Sequence, residues 1–231
     1  SIRWNETNRD LGEHLGYNII QYLREPAPSL RQPYIDNILN GITRWDTLLC
    51  DMGFNHGSIV MIGNDFVNSV IALDMIHDYI TDDQLQAAQE MLAKVMDWYV
   101  NDMRPTNGNG LGRGELTANI ALVFHLYLDK DSEETQYWIK RYIEGQYHYL
   151  LPDGSYGSSP GYATARLGGE RISKIGALFI LQHMGLYDFH QDSLFNQTFE
   201  WISGFSKTPF GSYTMFGDMV QNTSDVSRQN G

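Results

Sequence analysis

Cysteine occurs once in this 231-residue chain, at Cys50, so no internal disulfide can staple it. The apolar neighbours Leu48 and Leu49 mark Cys50 as a buried structural thiol rather than a nucleophile. No apolar run reaches the roughly 18 residues that a membrane-spanning helix needs, so no membrane association is expected. Positive charge is scarce: 16 Lys and Arg stand against 28 Asp and Glu, a net charge of −12. That balance opposes broad nucleic-acid binding. No His, Cys and Asp set shows metal-ligand spacing, so neither a metal nor another cofactor is expected. A strand-like alternation of comparable strength to the helical pattern is also missing before residue 205.

Helical periodicity and glycine are what the chain does have. Hydrophobic residues make up 42% and aromatics 13%, enough for a globular core. Leu11, Leu15, Ile19 and Leu23 recur every four residues and predict a first helix over about 6–24, stopped by Pro26 and Pro28. A second is expected over about 30–51, a third over 65–79, and a fourth over 84–100 opened by Thr81-Asp82-Asp83. A fifth is expected over 115–128 and a sixth from Ser132 to about Tyr149. A seventh is expected over 170–184, ended by Gly185, and an eighth over 193–203.

Most of the 22 glycines fall into four windows, Gly53–Gly63, Arg104–Gly114, Asp153–Gly169 and Gly204–Gly217. Each reads as a loop preceding a helical stretch. Helical hairpins repeated at about fifty residues bury a shared core by stacking side by side. Long glycine loops on one edge and short turns on the other favour an all-α fold, an (α/α) toroid. Four hairpins make an incomplete barrel. The expectation is therefore one helical domain over 1–231, part of a longer chain, with an irregular tail over 205–231 leading to a β domain.

Loop residues carry the candidate chemistry. Asp51-Met52-Gly53-Phe54-Asn55-His56-Gly57-Ser58 before a helix resembles a stretch of the chondroitin ABC type of polysaccharide lyase. Asn107-Gly108-Asn109-Gly110 resembles a loop of the chondroitin AC and hyaluronan lyases, and of heparinase II/III and alginate lyases. Leu151-Pro152-Asp153-Gly154-Ser155-Tyr156, continuing to Gly161-Tyr162, is similar to the Asp-Gly-Ser and Gly-Tyr loop of the same enzymes. Phe210-Gly211 and Phe216-Gly217-Asp218 resemble a further heparinase-type loop. Three places depart from these families: Ser159 stands where the chondroitin AC type has histidine, Gly63-Asn64-Asp65 where the ABC type has histidines, and Gly110 where heparinase types have tryptophan.

The resemblance implies cleavage of an acidic polysaccharide by β-elimination in a secreted or periplasmic setting. It assigns Asn109 to damping the uronate charge, Tyr162 to proton transfer, and Arg113 to the catalytic set as a partner of sugar carboxylate or sulfate. Arg166, His56, Asn64 and Tyr156 follow as substrate-binding residues. Two other readings stay open. A glycoside hydrolase would need two facing carboxylates from Asp65, Glu115, Asp153, Glu170 and Asp218. A non-catalytic glycan-binding module would need neither. The helical aromatics Trp45, Trp98, Tyr137, Trp138, Tyr142 and Trp201 read as core.

Overall fold

The computed structural model describes residues 15–45, 56–101, 110–147, 150–155 and 176–204, with the side chains of 56–62, 64, 110–116, 176 and 202–204 outside the description. Among these residues the chain is helical, and its one extended pairing is an isolated bridge at Leu150. None of the described helices is long and apolar enough to cross a membrane. The helices are α1 (15–24), α2 (Gln32–Thr43), α3 (His56–Ile76), α4 (Asp82–Asn101), α5 (Gly110–Leu128), α6 (Glu133–Tyr147), α7 (Gly176–His183) and α8 (Ser193–Gly204). They fall into two compact units, Ser1–Ile139 and Lys140–Gly231, with the boundary inside α6.

In the first unit, pairs of touching residues fix the helix directions. Asn37 Nδ2 donates to Asn18 Oδ1 at 3.1 Å, and Arg31 lies over the Tyr22 ring at 5.2 Å, so α1 and α2 run antiparallel. Tyr22 meets Tyr79 edge-on just past the end of α3, whereas Trp45, past the end of α2, donates its indole N–H to Ser69 Oγ at 3.1 Å. α2 is thus antiparallel to α3. A Cβ added at Gly63 would lie 3.1 Å from Ile120 Cδ1 and 3.4 Å from Tyr99 Oη. Phe66 meets Phe124 with ring centroids 6.1 Å apart, and His77 Nδ1 sits 3.1 Å from Tyr127 Oη. α3 and α5 therefore run parallel, with α4 antiparallel to both.

The result is up-and-down hairpins with their short turns at one end. α3 packs on α5, α2 packs on α4, and α4 packs on both α3 and α5. Burial sorts these helices into layers. α5 is apolar around its circumference, with Ala118 and Ile120 to Phe124 all buried. α4 buries one stripe, Ala88, Leu92, Val95 and Tyr99, and turns acids and glutamines outward. Caps set the register. Thr81 N donates to Gln84 Oε1 at 3.0 Å while Gln84 N donates to Thr81 Oγ1 at 3.3 Å, a reciprocal capping box opening α4. Ser132 Oγ accepts from Thr135 N at 3.1 Å to open α6.

The second unit centres on Phe189, whose ring meets Phe179 at 5.3 Å and Phe199 at 5.9 Å. α7 ends at Gly185, with φ 70°, where Leu186 N bonds Leu181 O and Gly185 N bonds Gln182 O. That is a Schellman ending, as the glycine there predicts.

Three expectations need correction. The window Gly53–Gly63 is not a loop throughout: α3 begins at His56 and runs through Gly57, Gly63 and Asn64. α5 begins at Gly110, so Gly112, Arg113 and Gly114 are helical. Glycine costs a helix about 1 kcal/mol per residue, which burial in a packed layer overrides. Gly63 also has a positive reason to be there, since it lets Ile120 and Tyr99 approach. The second helix is not continuous as the periodicity suggests: it ends at Thr43 with a turn at Arg44, and residues 46–51 lie outside the described residues.

Candidate functional site

Two of the four loop regions singled out by sequence adjoin the same end of the first unit. The start of α3, the end of α4 and the start of α5 lie together there, because α3 and α5 are parallel and α4 returns between them. His56 is the first residue of α3, and Asn64 lies about two turns further in. Arg113 lies in the first turn of α5. Asn109, Tyr156, Tyr162 and Arg166 lie outside the described residues. Of the seven expected site residues, the structure thus brings the backbones of His56 and Arg113 to a common end.

Buried polar side chains lie below that end. Tyr99, near the end of α4, is 1% exposed, with its hydroxyl beside Gly63. Asp65, in the third turn of α3, is a carboxylate only 9% exposed. Its backbone carbonyl accepts from Ser69 Oγ at 2.7 Å, continuing the chain that begins at the Trp45 indole. Asn119 on α5 is 1% exposed, and neither its amide nitrogen nor its carbonyl oxygen has a hydrogen-bond partner among the described residues. Of the carboxylates weighed for a hydrolase, Asp65 is buried and Asp153 exposed, and the side chains of Glu115, Glu170 and Asp218 lie outside the description.

In the second unit the Asp-Gly-Ser motif forms a tight turn. Asp153 Oδ1 accepts from Ser155 N at 3.0 Å and Ser155 Oγ at 2.6 Å. These bonds hold the Asp153 carboxyl below the usual carboxylate range. Gly154 adopts φ 81°, and a Cβ there would lie 2.7 Å from the carbonyl carbon and oxygen of Gln197 on α8. The turn is thereby seated on helix backbone immediately before Tyr156.

Two polar clusters were not anticipated. Tyr127 Oη takes the His77 imidazole at 3.1 Å and the Gln89 amide at 3.4 Å, at the short-turn end. Burial pushes the Tyr127 phenol up, so it remains a proton donor. Asp192 Oδ1 caps α8, accepting from Leu194 N at 3.0 Å and Phe195 N at 3.2 Å, while Oδ2 accepts from Tyr187 Oη at 2.9 Å and from Tyr147 Oη. Asp192 immediately precedes α8, the position from which a carboxylate caps a helix. Its tyrosine partner 45 residues away left no local signal.

No group of three His, Cys, Asp or Glu side chains suited to a metal occurs among the described residues. Comparison with family models, with curated proteins and with solved structures finds no match for this chain.

Proposed function

We propose that this chain is the helical body of a polysaccharide lyase that cleaves a uronic-acid-containing glycan by β-elimination. The observation that carries the reading is the gathering of the α3 start, the α4 end and the α5 start at one end of the first unit. Those ends border the segments 46–55 and 102–109, where the lyase-like motifs occur. The fold that goes with this reading is an (α/α) toroid of about four hairpins, extended by a β domain in a longer protein that is secreted or periplasmic.

The chemistry asks for few groups. Removing the proton beside a uronate carboxylate generates an enolate-like state, which a neutral donor such as Asn109 stabilises. Electrons from the broken C–H bond form a double bond as the glycosidic C–O bond breaks. Tyr162 acts as both base and acid, taking the proton from carbon and delivering it to the departing oxygen. Arg113 supplies a bidentate partner for the substrate's acid groups, as does Arg166, and together they offset the chain's net charge of −12 locally. His56, Asn64 and Tyr156 complete the substrate contacts.

The test is incubation of the protein with chondroitin, hyaluronan, heparan sulfate and alginate while following the ultraviolet band of a 4,5-unsaturated uronate. At least one polymer should give a rising signal, and Asn109→Ala and Tyr162→Phe should each depress it strongly. A flat trace with every polymer contradicts the assignment.

A glycoside hydrolase is the second reading, favoured by one observation. Asp65 is a buried carboxylate on a central helix, and hydrolysis needs a carboxyl group beside the scissile bond. New reducing ends without ultraviolet absorbance, abolished in Asp65→Asn, would select it.

A further inference from the structure

Asn119 is 1% exposed, yet neither its Nδ2 nor its Oδ1 has a hydrogen-bond partner among the described residues. A buried amide left unpaired costs stability, so its place in the fold calls for a reason. Its direction supplies one. Ile120 turns toward α3, its δ-methyl 3.1 Å from where a Cβ at Gly63 would lie. Successive residues of an α-helix turn by about 100°, so Asn119 leaves α5 about 100° to one side of that contact. The backbone position of Asn64, one residue after Gly63, is turned about 100° in the opposite sense on α3. α3 and α5 run parallel and face each other, so opposite senses bring both positions to the same side of the pair, at the same level.

The neighbouring helices occupy the other side. Ser69, turned about 120° from Gly63 in the sense opposite to Asn64, receives the Trp45 indole from beyond α2. α4 packs on α2 as well as on α3 and α5, and so shares that side. His125, turned about 140° from Ile120 in the sense opposite to Asn119, feels the Glu134 carboxylate in the first turn of α6. Asn119 therefore points away from α2, α4 and the start of α6. Val123 and Leu126 continue its side of α5 and are buried, so the amide is set beside hydrocarbon.

We propose that Asn119 is a further substrate-contacting residue, which holds a ring hydroxyl of the bound glycan. The inference rests on the β-elimination reading for the identity of the polymer, in which Asn64, on the same side and level, is already a substrate residue. The amide offers both a donor and an acceptor. A hydroxyl answers both, whereas a carboxylate only accepts and would leave Oδ1 unpaired beside negative charge. Asn119 thus recognises a neutral part of the sugar, and the acid groups are left to Arg113 and Arg166. The amide is buried in the free protein, so the chain opens there to bind, and equilibrium affinity is the quantity to compare.

The probes are hexasaccharides of chondroitin, hyaluronan, heparan sulfate and alginate, titrated calorimetrically into protein carrying Tyr162→Phe so that they stay intact. At least one should bind, and adding Asn119→Leu should weaken that binding about tenfold or more. The melting temperature should stay at or above that of the parent, so the loss is not one of folding. Unchanged affinity or no binding by any probe overturns the proposal. A lower melting temperature in Asn119→Leu also overturns it, by showing that the amide is paired within the protein. The two readings fail separately. A flat ultraviolet trace from the wild type, with binding that depends on Asn119, removes the lyase and keeps the site. An ultraviolet signal with binding indifferent to Asn119 removes the site and keeps the lyase.

Discussion

Gly154 lies against the backbone of Gln197 so closely that a methyl group on it would sit 2.7 Å from the Gln197 carbonyl carbon and oxygen. Its φ of 81° adds a conformational demand of its own. Gly185 has a similar φ of 70° with open space around it. Gly185→Ala should therefore cost about 1 kcal/mol, the left-handed strain alone. Gly154→Ala should cost clearly more, about 2–4 kcal/mol, because the turn must also lift off α8. Urea unfolding of the two variants measures the difference. Equal losses would mean that the turn is not seated on the helix.

Gly63 is a milder case. Alanine there gains about 1 kcal/mol of helix propensity but presses on the Ile120 δ-methyl at 3.1 Å. A flexible methyl yields, so Gly63→Ala should fall within about 1 kcal/mol of wild type. Gly63→Leu should lose at least about 2 kcal/mol, as it would force α3 and α5 apart. Thermal melts of both variants check this.

The Asp192 cluster sets a pH dependence. Burial pushes the Asp192 carboxyl up, but hydrogen bonds from Tyr147, Tyr187, Phe195 N and Leu194 N outweigh it, and the group sits below its usual range. A depressed folded value means that the native state holds the ionised form more tightly. The contribution is complete above the unfolded value, about pH 4, and fades as pH falls through the folded one. Asp192→Ala should therefore cost about 1–2 kcal/mol at pH 7, as expected for a lost cap. The gap to wild type should close in strong acid. Burial and the neighbouring groups push the Tyr187 and Tyr147 phenols up, so a second loss is expected as pH rises above about 10. Urea midpoints across pH test both limbs.

Asn119 carries an amide with no hydrogen-bond partner among the described residues, in a fully buried position. Replacing it by leucine, which has the same heavy-atom branching, removes the desolvation penalty and should stabilise the protein by about 1–3 kcal/mol. A lower melting temperature in Asn119→Leu would show that the amide has a partner it depends on.

Caps and turn glycines were the most legible part of the sequence. Thr81, Ser132 and Gly185 act within a few residues of themselves, so local reading reaches them, as it reaches the turn at Gly154 but not its seat on Gln197. The first helix shows where such reading drifts. A four-residue spacing advances 40° per step on a 3.6-residue helix, so Leu15 is buried while Leu23, two steps on, is 64% exposed. The early start of α3 escaped because its glycines argue locally for a loop, and only the contact with α5 explains Gly63. The exposed Tyr137 escaped because helical spacing does not distinguish an inward face from an outward one. As for the candidate site, the sequence placed His56 and Arg113 near the same end through loop order. The buried Asp65, Tyr99 and Asn119 became visible only when the helix directions were known.

Mass analysis of the oligosaccharides released from a uronate polymer tests the central claim most directly. β-Elimination breaks the chain without adding water, so each new non-reducing end should be lighter by one water than a hydrolysis product, and Asn109→Ala should suppress its formation. Products of the full hydrated mass would contradict a lyase, as would an unchanged yield from Asn109→Ala for the role given to that residue.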